Sequence, residues 1–179
     1  MALFLKAAGG VPVVASSGGR LVHELERAGI THITLPLASK NPFTLRSNVW
    51  RLEEVIRAHK VDIVHARSRA PAWSAFFAAK RTGVTFLTTF HAAYKFQQPL
   101  KKFYNSIMAR GERVIAISDF IARHVIENYG LAPERVRSIA RGIDLFKFHP
   151  DTVTAERMFR LAQDWRLPDG LKVCLLYTS

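Results

Sequence analysis

Short apolar runs alternate with amphipathic stretches along most of this chain of 179 residues. The apolar runs predict strands over 11–16, 32–37, 61–66, 85–90, 113–117 and 136–140. The amphipathic stretches between them predict helices over about 18–28, 42–59, 71–82, 98–110 and 118–129. The strand candidates are apolar throughout, which is typical of parallel strands covered by helices on both faces. The pattern therefore predicts an α/β domain with a doubly wound, Rossmann-like parallel sheet.

Residues typical of helix ends stand at the boundaries of these segments. Asn41 followed by Pro42 favours a helix N-cap with proline at the first helical position, where no hydrogen-bond donor is lost. Ser118 is placed to cap the next helix, and Asp119 adds negative charge near the positive end of its dipole. We expect the left-handed conformation that ends helices at the glycines that follow them, which are Gly29, Gly83, Gly111 and Gly130.

Two of the predicted strands run into a histidine, in "VDIVHARSR" (61–69) and in "FLTTFHAAY" (86–94). In doubly wound sheets, ligands bind outside the carboxyl ends of the strands and beside the helix N-termini. This position favours a functional role for His91 and for His65. The other candidates at the same edge are Arg67, Ser68, Arg69, Tyr94 and Ser118. We interpret the remaining histidines as structural.

Two basic segments each have two interpretations. "HARSR" (65–69) precedes a helix, so its arginines and backbone donors suit a phosphate or carboxylate, but a solvated loop has the same composition. "PLKKFYNSIMAR" (99–110) has apolar residues at helical spacing beside cations. It fits a helix packed on the sheet, and it also fits a helix that contacts anionic lipid.

The composition indicates a globular protein, because 49% of the residues are apolar and 22% are charged. The net charge of +12 favours a polyanionic partner: nucleic acid, an anionic membrane or a phosphorylated substrate. One cysteine, Cys174, excludes a disulfide framework and favours a reducing compartment, so we expect a cytoplasmic location. No run reaches the length of a membrane span, and no histidine pair has metal-ligand spacing.

We divide the chain into three parts. Residues 1–150 form the Rossmann-like domain, 151–170 a linker or helix, and 171–179 the first strand of a further domain. Residues 3–10 are typical of the last turns of a helix, so the first strand of the sheet is expected to precede them.

Four segments in order resemble the GT-B-fold glycosyltransferases, specifically the large retaining family 4. They are "VDIVHARSRAPAWSA" (61–75), "TFLTTFHAAY" (85–94), "RVIAISDFIARHV" (113–125) and "IARGIDLFKFHP" (139–150). The last is similar to the Pro-Asn-Gly-Val-Asp stretch that ends the N-terminal domain of the family. Ala140 and Arg141 depart from its Pro-Asn part.

The resemblance implies an enzyme that transfers a sugar from a nucleotide-sugar to an acceptor with retained stereochemistry. His91 would contact the transferred sugar, and it is the predicted catalytic residue. The resemblance places the edge residues on the acceptor side of the cleft, and it adds Arg141, Gly142 and Asp144 as substrate-binding residues. It implies no metal and no cofactor, in keeping with the absence of a D-x-D motif from the sequence.

The family's donor-binding groups lie in its second domain, so we expect this chain alone to be inactive in sugar transfer. Loss of the first strand would leave a gap in the sheet or force the strand around 11–16 to pair elsewhere, so we also expect this chain to be marginally stable. The expected acceptor is a lipid-linked or lipopolysaccharide glycan at the inner membrane face, with peripheral contact to anionic lipid. The alternative is a stand-alone basic module that binds polyanionic glycan or nucleic acid. Against nucleic acid, the aromatic residues do not interleave with the basic residues as a stacking surface requires, and the cations form no single stripe.

Overall fold

A computed structural model of the protein describes residues 1–94, 98–145, 148–168 and 170. By internal contacts the chain forms two compact units, Met1–Ala140 and Arg141–Ser179. In the first unit the helices are α1 (Ala2–Ala7), α2 (Val22–Arg27), α3 (Pro42–Ala58), α4 (Arg69–Thr82), α5 (Pro99–Ser106) and α6 (Asp119–Tyr129). The strands are β1 (Val13–Ser16), β2 (Thr31–Thr34), β3 (Ile63–Ala66), β4 (Thr85–Phe90), β5 (Arg113–Ala116) and β6 (Val136–Ser138).

All described strand pairs are parallel, which confirms the predicted α/β class. Strands β3, β4, β5 and β6 form one sheet in that order, and β1 pairs with β2 in a second. Among the described residues no ladder joins β1 to β3, so the sheet has a gap of the kind expected from the sequence. Ala15 of β1 still packs against the core of the larger sheet.

Several predicted element bounds change in the structure, and three of the changes have a clear physical reason. The helix predicted over 18–28 begins only at Val22, after Gly18 and Gly19 with φ of +90° and +134°. The strand predicted over 32–37 ends at Thr34, and Pro36 beyond it has no N–H for a ladder. The helix predicted over 98–110 ends at Ser106 and continues as a 3₁₀ turn over Ile107–Ala109.

The glycines at the helix ends differ in their physical role. Gly29, Gly83 and Gly130 have φ of +63°, +73° and +65°, as expected for left-handed helix ends. Gly111 does not have a positive φ, so the predicted role is wrong there. A Cβ atom at Gly111 would lie 2.6 Å from the Arg113 carbonyl oxygen and 2.9 Å from the Thr88 hydroxyl. Close approach of the backbone to β4 therefore requires glycine at this position.

The core lies around β4 and β5. Phe90 of β4 and Val114 and Ala116 of β5 are completely buried. Met108 and Val125 are also completely buried and belong to the same core. Small residues of α4 face α3, where the Ser74 hydroxyl donates to the Leu45 carbonyl at 2.8 Å. This packing fixes the N-terminus of α4 at the end of β3, where the candidate site begins.

The second unit, described by itself, contains a 3₁₀ turn over Pro150–Thr152 and α7 (Ala155–Asp164). The Thr154 hydroxyl accepts a hydrogen bond from the Arg157 N–H at 3.3 Å and caps α7. The cysteine and the strand predicted over 171–179 lie outside the described residues.

Candidate functional site

The predicted edge residues follow neighbouring strands of the four-stranded sheet. Ala66 of β3 is in register with Thr88 of β4, and Phe90 of β4 is in register with Ala116 of β5. The three strands are parallel, so the loops that follow them leave the sheet at the same edge. We call the residues at and after these strand ends the rim: His65, Arg67, Ser68, Arg69, Thr89, His91, Tyr94 and Ser118.

A hydrogen bond to a buried threonine connects His65 to the neighbouring strand. Its Nε2 atom lies 2.7 Å from the Thr89 hydroxyl oxygen, and Thr89 is 3% exposed. Burial lowers the pKa of His65 from its usual 6.5 to about 4, and the nearby charges of Arg67 and His91 add to the effect. The imidazole is therefore neutral at neutral pH, so at this edge it offers a neutral hydrogen-bonding group, not a cation.

His91 and Tyr94 belong to one short segment after β4. His91 and Tyr94 are both half-buried. Burial raises the pKa of Tyr94, while the Arg69 guanidinium and a hydrogen bond from the His91 backbone oppose that rise. The phenol is therefore neutral, and its oxygen accepts a hydrogen bond from the His91 N–H. The ring of Tyr94 packs on Phe90 with 5.2 Å between the ring centroids.

Arg69 is the first residue of α4, and its guanidinium is engaged inside the protein. The Nη1 atom donates to Asn105 Oδ1 at 2.8 Å, and Cζ lies 4.5 Å from the centroid of the Tyr94 ring. Sequence reasoning placed Arg69 with the substrate-binding arginines, whereas the structure gives it internal partners. It also missed Asn105, whose side chain is completely buried.

The other rim residues are exposed. Arg67 is exposed beside His65. Ser68 precedes α4, and its hydroxyl makes no capping hydrogen bond. The Ser118 hydroxyl accepts a hydrogen bond from the Ile121 N–H at 3.3 Å, so it caps α6 as predicted. A ligand would therefore find a free cap hydroxyl at Ser68 and an occupied one at Ser118.

Three predicted substrate-binding residues, Arg141, Gly142 and Asp144, belong to the second compact unit, where all three are exposed. Their role as substrate contacts stays a prediction. In the described part of the chain, no group of three His, Cys, Asp or Glu residues is arranged to hold a metal ion.

An aromatic and basic surface covers α4, α5 and the turn after α5; we call it the α4–α5 face. Trp73 lies between Phe77 and Phe103, with ring centroids 6.4 Å and 5.3 Å apart, and Arg110 is 5.5 Å from the Trp73 ring centroid. A groove of about 450 Å³ between α3 and α4 adjoins it and is lined by Trp50, Trp73, Phe77 and Arg81. No described helix is both long enough and apolar enough to cross a bilayer.

The parallel α/β fold, with its rim at the carboxyl ends of the strands, is that of a GT-B-type glycosyltransferase domain. The model of the family described as "Glycosyltransferase Family 4" matches residues 1–146, so the chain belongs to glycosyltransferase family 4. Comparison with curated protein sequences gives no match.

Solved structures agree with this assignment. The glycosyltransferase from Rickettsia africae ESF-5 is 41% identical with a TM-score of 0.77; the match covers 95% of this chain and 45% of that one. Anabaena Alr3699/HepE, solved with UDP and glucose, is 18% identical with a TM-score of 0.65, covering 86% of this chain and 42% of that one. The lipopolysaccharide outer core galactosyltransferase WaaB is 14% identical with a TM-score of 0.50, covering 65% and 32%. The last two likenesses show the fold alone, and the chain spans less than half the length of each of these proteins.

Proposed function

We propose that this chain forms the acceptor-side domain of a retaining glycosyltransferase that uses a nucleotide-sugar, and that His91 contacts the transferred sugar. The observation that carries the proposal is the position of His65 and His91, which end neighbouring parallel strands at one edge of the sheet. Ligands of open α/β sheets bind at that edge. Membership of glycosyltransferase family 4 supports the reaction class.

The chemistry of the rim suits an acceptor with hydroxyl groups. The neutral His65 imidazole and the Ser68 hydroxyl are hydrogen-bonding groups, and Arg67 adds a cation. Such groups orient a sugar without competing as nucleophiles, so their contribution is positioning of the acceptor against the donor. Anabaena HepE, which has this fold, was solved with UDP and glucose, and this supports a UDP-sugar as the donor.

Transfer is testable with a chimera that joins this chain to the remaining part of the Rickettsia africae glycosyltransferase. The 41% identity over 95% of this chain makes the junction feasible. We expect the chimera to transfer sugar from a UDP-sugar, and His91→Ala to lower kcat by about 100-fold or more, as loss of a transition-state contact does. His59→Ala, at an exposed histidine after α3, is the matched control. Full activity of the His91→Ala chimera would overturn the role of His91, and products with inverted anomeric configuration would overturn retention.

We further propose that the acceptor is a lipid-linked or lipopolysaccharide glycan and that the α4–α5 face contacts an anionic membrane in the cytoplasm. Leu100 and Phe103 are 82% and 59% exposed on α5. Residues 69–82 and 98–110 contain Lys80, Arg81, Lys101, Lys102 and Arg110 together with Arg69, and they contain no acidic residue. Exposed apolar side chains flanked by cations are the features by which helices bind anionic lipid surfaces.

Co-sedimentation with vesicles tests this contact. We expect binding to phosphatidylcholine vesicles that contain phosphatidylglycerol and little binding to phosphatidylcholine alone. The variant Leu100→Asn with Phe103→Asn should lose binding, whereas Phe120→Asn, at a residue 63% exposed on α6, should retain it. Equal binding to both vesicle types would contradict the proposal.

The competing function is a basic module that binds polyanionic glycan or nucleic acid, favoured only by the net charge of +12. Affinity for DNA of any sequence that falls steeply with salt would support it. Measuring DNA binding in the presence of the phosphatidylglycerol vesicles shows whether the protein prefers DNA or the anionic membrane.

A further inference from the structure

Arg69 stands at the centre of a chain of contacts that leads from α5 to the backbone of His91. Among the described residues, no carboxylate lies within salt-bridge distance of its guanidinium. Its Nη1 atom donates instead to the neutral Asn105 Oδ1 at 2.8 Å. A half-buried cation with this environment is held in place by shape and hydrogen bonding, and not by an opposite charge.

Asn105 gives the guanidinium a fixed point. Its side chain is completely buried in the last turn of α5, which is followed by the buried residues Ile107 and Met108. The acceptor oxygen of Asn105 therefore cannot shift without disturbing the core.

The planar face of the Arg69 guanidinium packs on the ring of Tyr94. The Arg69 Cζ atom is 4.5 Å from the centroid of the Tyr94 ring, and the ring rests on the completely buried Phe90. The Tyr94 oxygen accepts the hydrogen bond from the His91 backbone. The contacts thus run from Asn105 to Arg69, from Arg69 to Tyr94, and from Tyr94 to His91.

We propose that Arg69 is a positioning residue that holds the segment from His91 to Tyr94 in place through the Tyr94 ring. Its importance for sugar transfer rests on the function proposed above for His91. A planar guanidinium donates in its plane to Asn105 while its face stacks on Tyr94, and a lysine ammonium has no such plane. The position therefore requires arginine specifically, and a charge alone does not satisfy it.

Amide hydrogen exchange tests the structural part directly on this chain. In Arg69→Met and Asn105→Leu we expect the His91 amide to exchange at least about tenfold faster than in the wild type, with β5 amides unchanged. Arg69→Lys should give nearly the same acceleration, although it keeps the charge. Arg123→Met, at an exposed arginine of α6, is the matched control and should leave the His91 amide unchanged.

Two results would overturn the proposal. One is an unchanged exchange rate at His91 in Arg69→Met. The other is an equal acceleration over all strands, because it would mean that Arg69 contributes only to global stability.

The chimera with the Rickettsia africae protein tests the functional part. Arg69→Met and Arg69→Lys should both lower kcat by about tenfold or more, with the KM for the donor changed less than twofold. A large change in the donor KM with unchanged kcat would overturn a role that acts through His91. If the exchange result holds but His91→Ala leaves transfer unchanged, then the proposed function fails while the positioning of His91 by Arg69 stands.

Discussion

The Nε2 atom of His65 lies 2.7 Å from the hydroxyl oxygen of Thr89, and the two residues come from neighbouring parallel strands. His65 is in register with Leu87, so its side chain reaches diagonally toward the end of β4, next to His91. The pair combines a candidate functional group with a buried hydroxyl that fixes its orientation. Its contribution can be measured through stability and through pH.

Removal of the Thr89 hydroxyl should destabilise the domain. Thr89→Val keeps the shape of the side chain and leaves the His65 ring nitrogen without its partner, so the free energy of unfolding should fall by about 1–2 kcal/mol. Thr85→Val, in the same strand and half-exposed, should change it by less than about 0.5 kcal/mol. Urea unfolding of both variants measures the difference, and equal values would show that the hydrogen bond adds nothing.

The lowered pKa of His65 should make stability depend on pH. Folding lowers this pKa from 6.5 to about 4, so between these values the unfolded chain binds the proton more readily. The stabilising effect of the neutral imidazole is complete above pH 6.5 and is lost as the pH falls toward 4. Denaturant unfolding at about pH 7 and about pH 5 should show a smaller drop for His65→Gln than for the wild type.

Carboxyl groups also titrate in acid, which is why the comparison uses the difference between the two proteins. Glu53, which has a pKa lowered by its hydrogen bonds to Arg81 and Arg57, is common to both. An identical drop in the wild type and in His65→Gln would contradict the assigned cause.

The two serines at helix starts should respond differently to alanine. Ser118→Ala removes the hydrogen bond to the Ile121 N–H and should cost about 1 kcal/mol of stability. Ser68→Ala removes no capping hydrogen bond and should change stability by less than about 0.5 kcal/mol. Thermal unfolding distinguishes them, and Ser118→Asp should restore most of the loss. If Ser68→Ala proves the more damaging, the cap assignment is wrong.

Gly111 should tolerate alanine less well than Gly83. A Cβ atom at Gly111 would meet the Arg113 carbonyl and the Thr88 side chain, so Gly111→Ala should cost about 3 kcal/mol or more. At Gly83 nothing lies within 4 Å of an added Cβ, and the only cost, about 1 kcal/mol, is the left-handed backbone. Chemical unfolding of the two variants under the same conditions compares them. A larger loss of stability for Gly83→Ala than for Gly111→Ala would mean that the backbone near β4 shifts to accommodate the added methyl group.

Several parts of the fold were predictable because their causes are local. The Asn41 side chain accepts hydrogen bonds from the Phe43 and Thr44 N–H groups, as the Asn-Pro pair predicts. The apolar runs became parallel strands, since their patterns already require cover on both faces. The order of the strands within the sheets was not predictable, because the residues of one strand do not determine which other strand pairs with each of its edges.

The candidate site was predictable in its position and not in its contacts. His65 and His91 were found because they end apolar runs. Thr89 was missed, since in "FLTTF" a threonine is typical of any strand, and only its burial marks it. A polar residue in an otherwise apolar buried strand is the signal that would have found it. Asn105 was missed because only the apolar and basic residues of this helix were considered.

The sequence by itself determined the α/β class, the helix ends at Asn41, Ser118, Gly83 and Gly130, and the edge of the sheet at which the candidate residues stand. Each of these follows from periodicity or capping within a few residues. Only the tertiary structure decided that Arg69 contacts Asn105 and Tyr94 and that His65 is held neutral beside Thr89. The physical reason is that hydrogen bonding and desolvation depend on which distant segments pack together, as between Arg69 and Asn105, 36 positions apart.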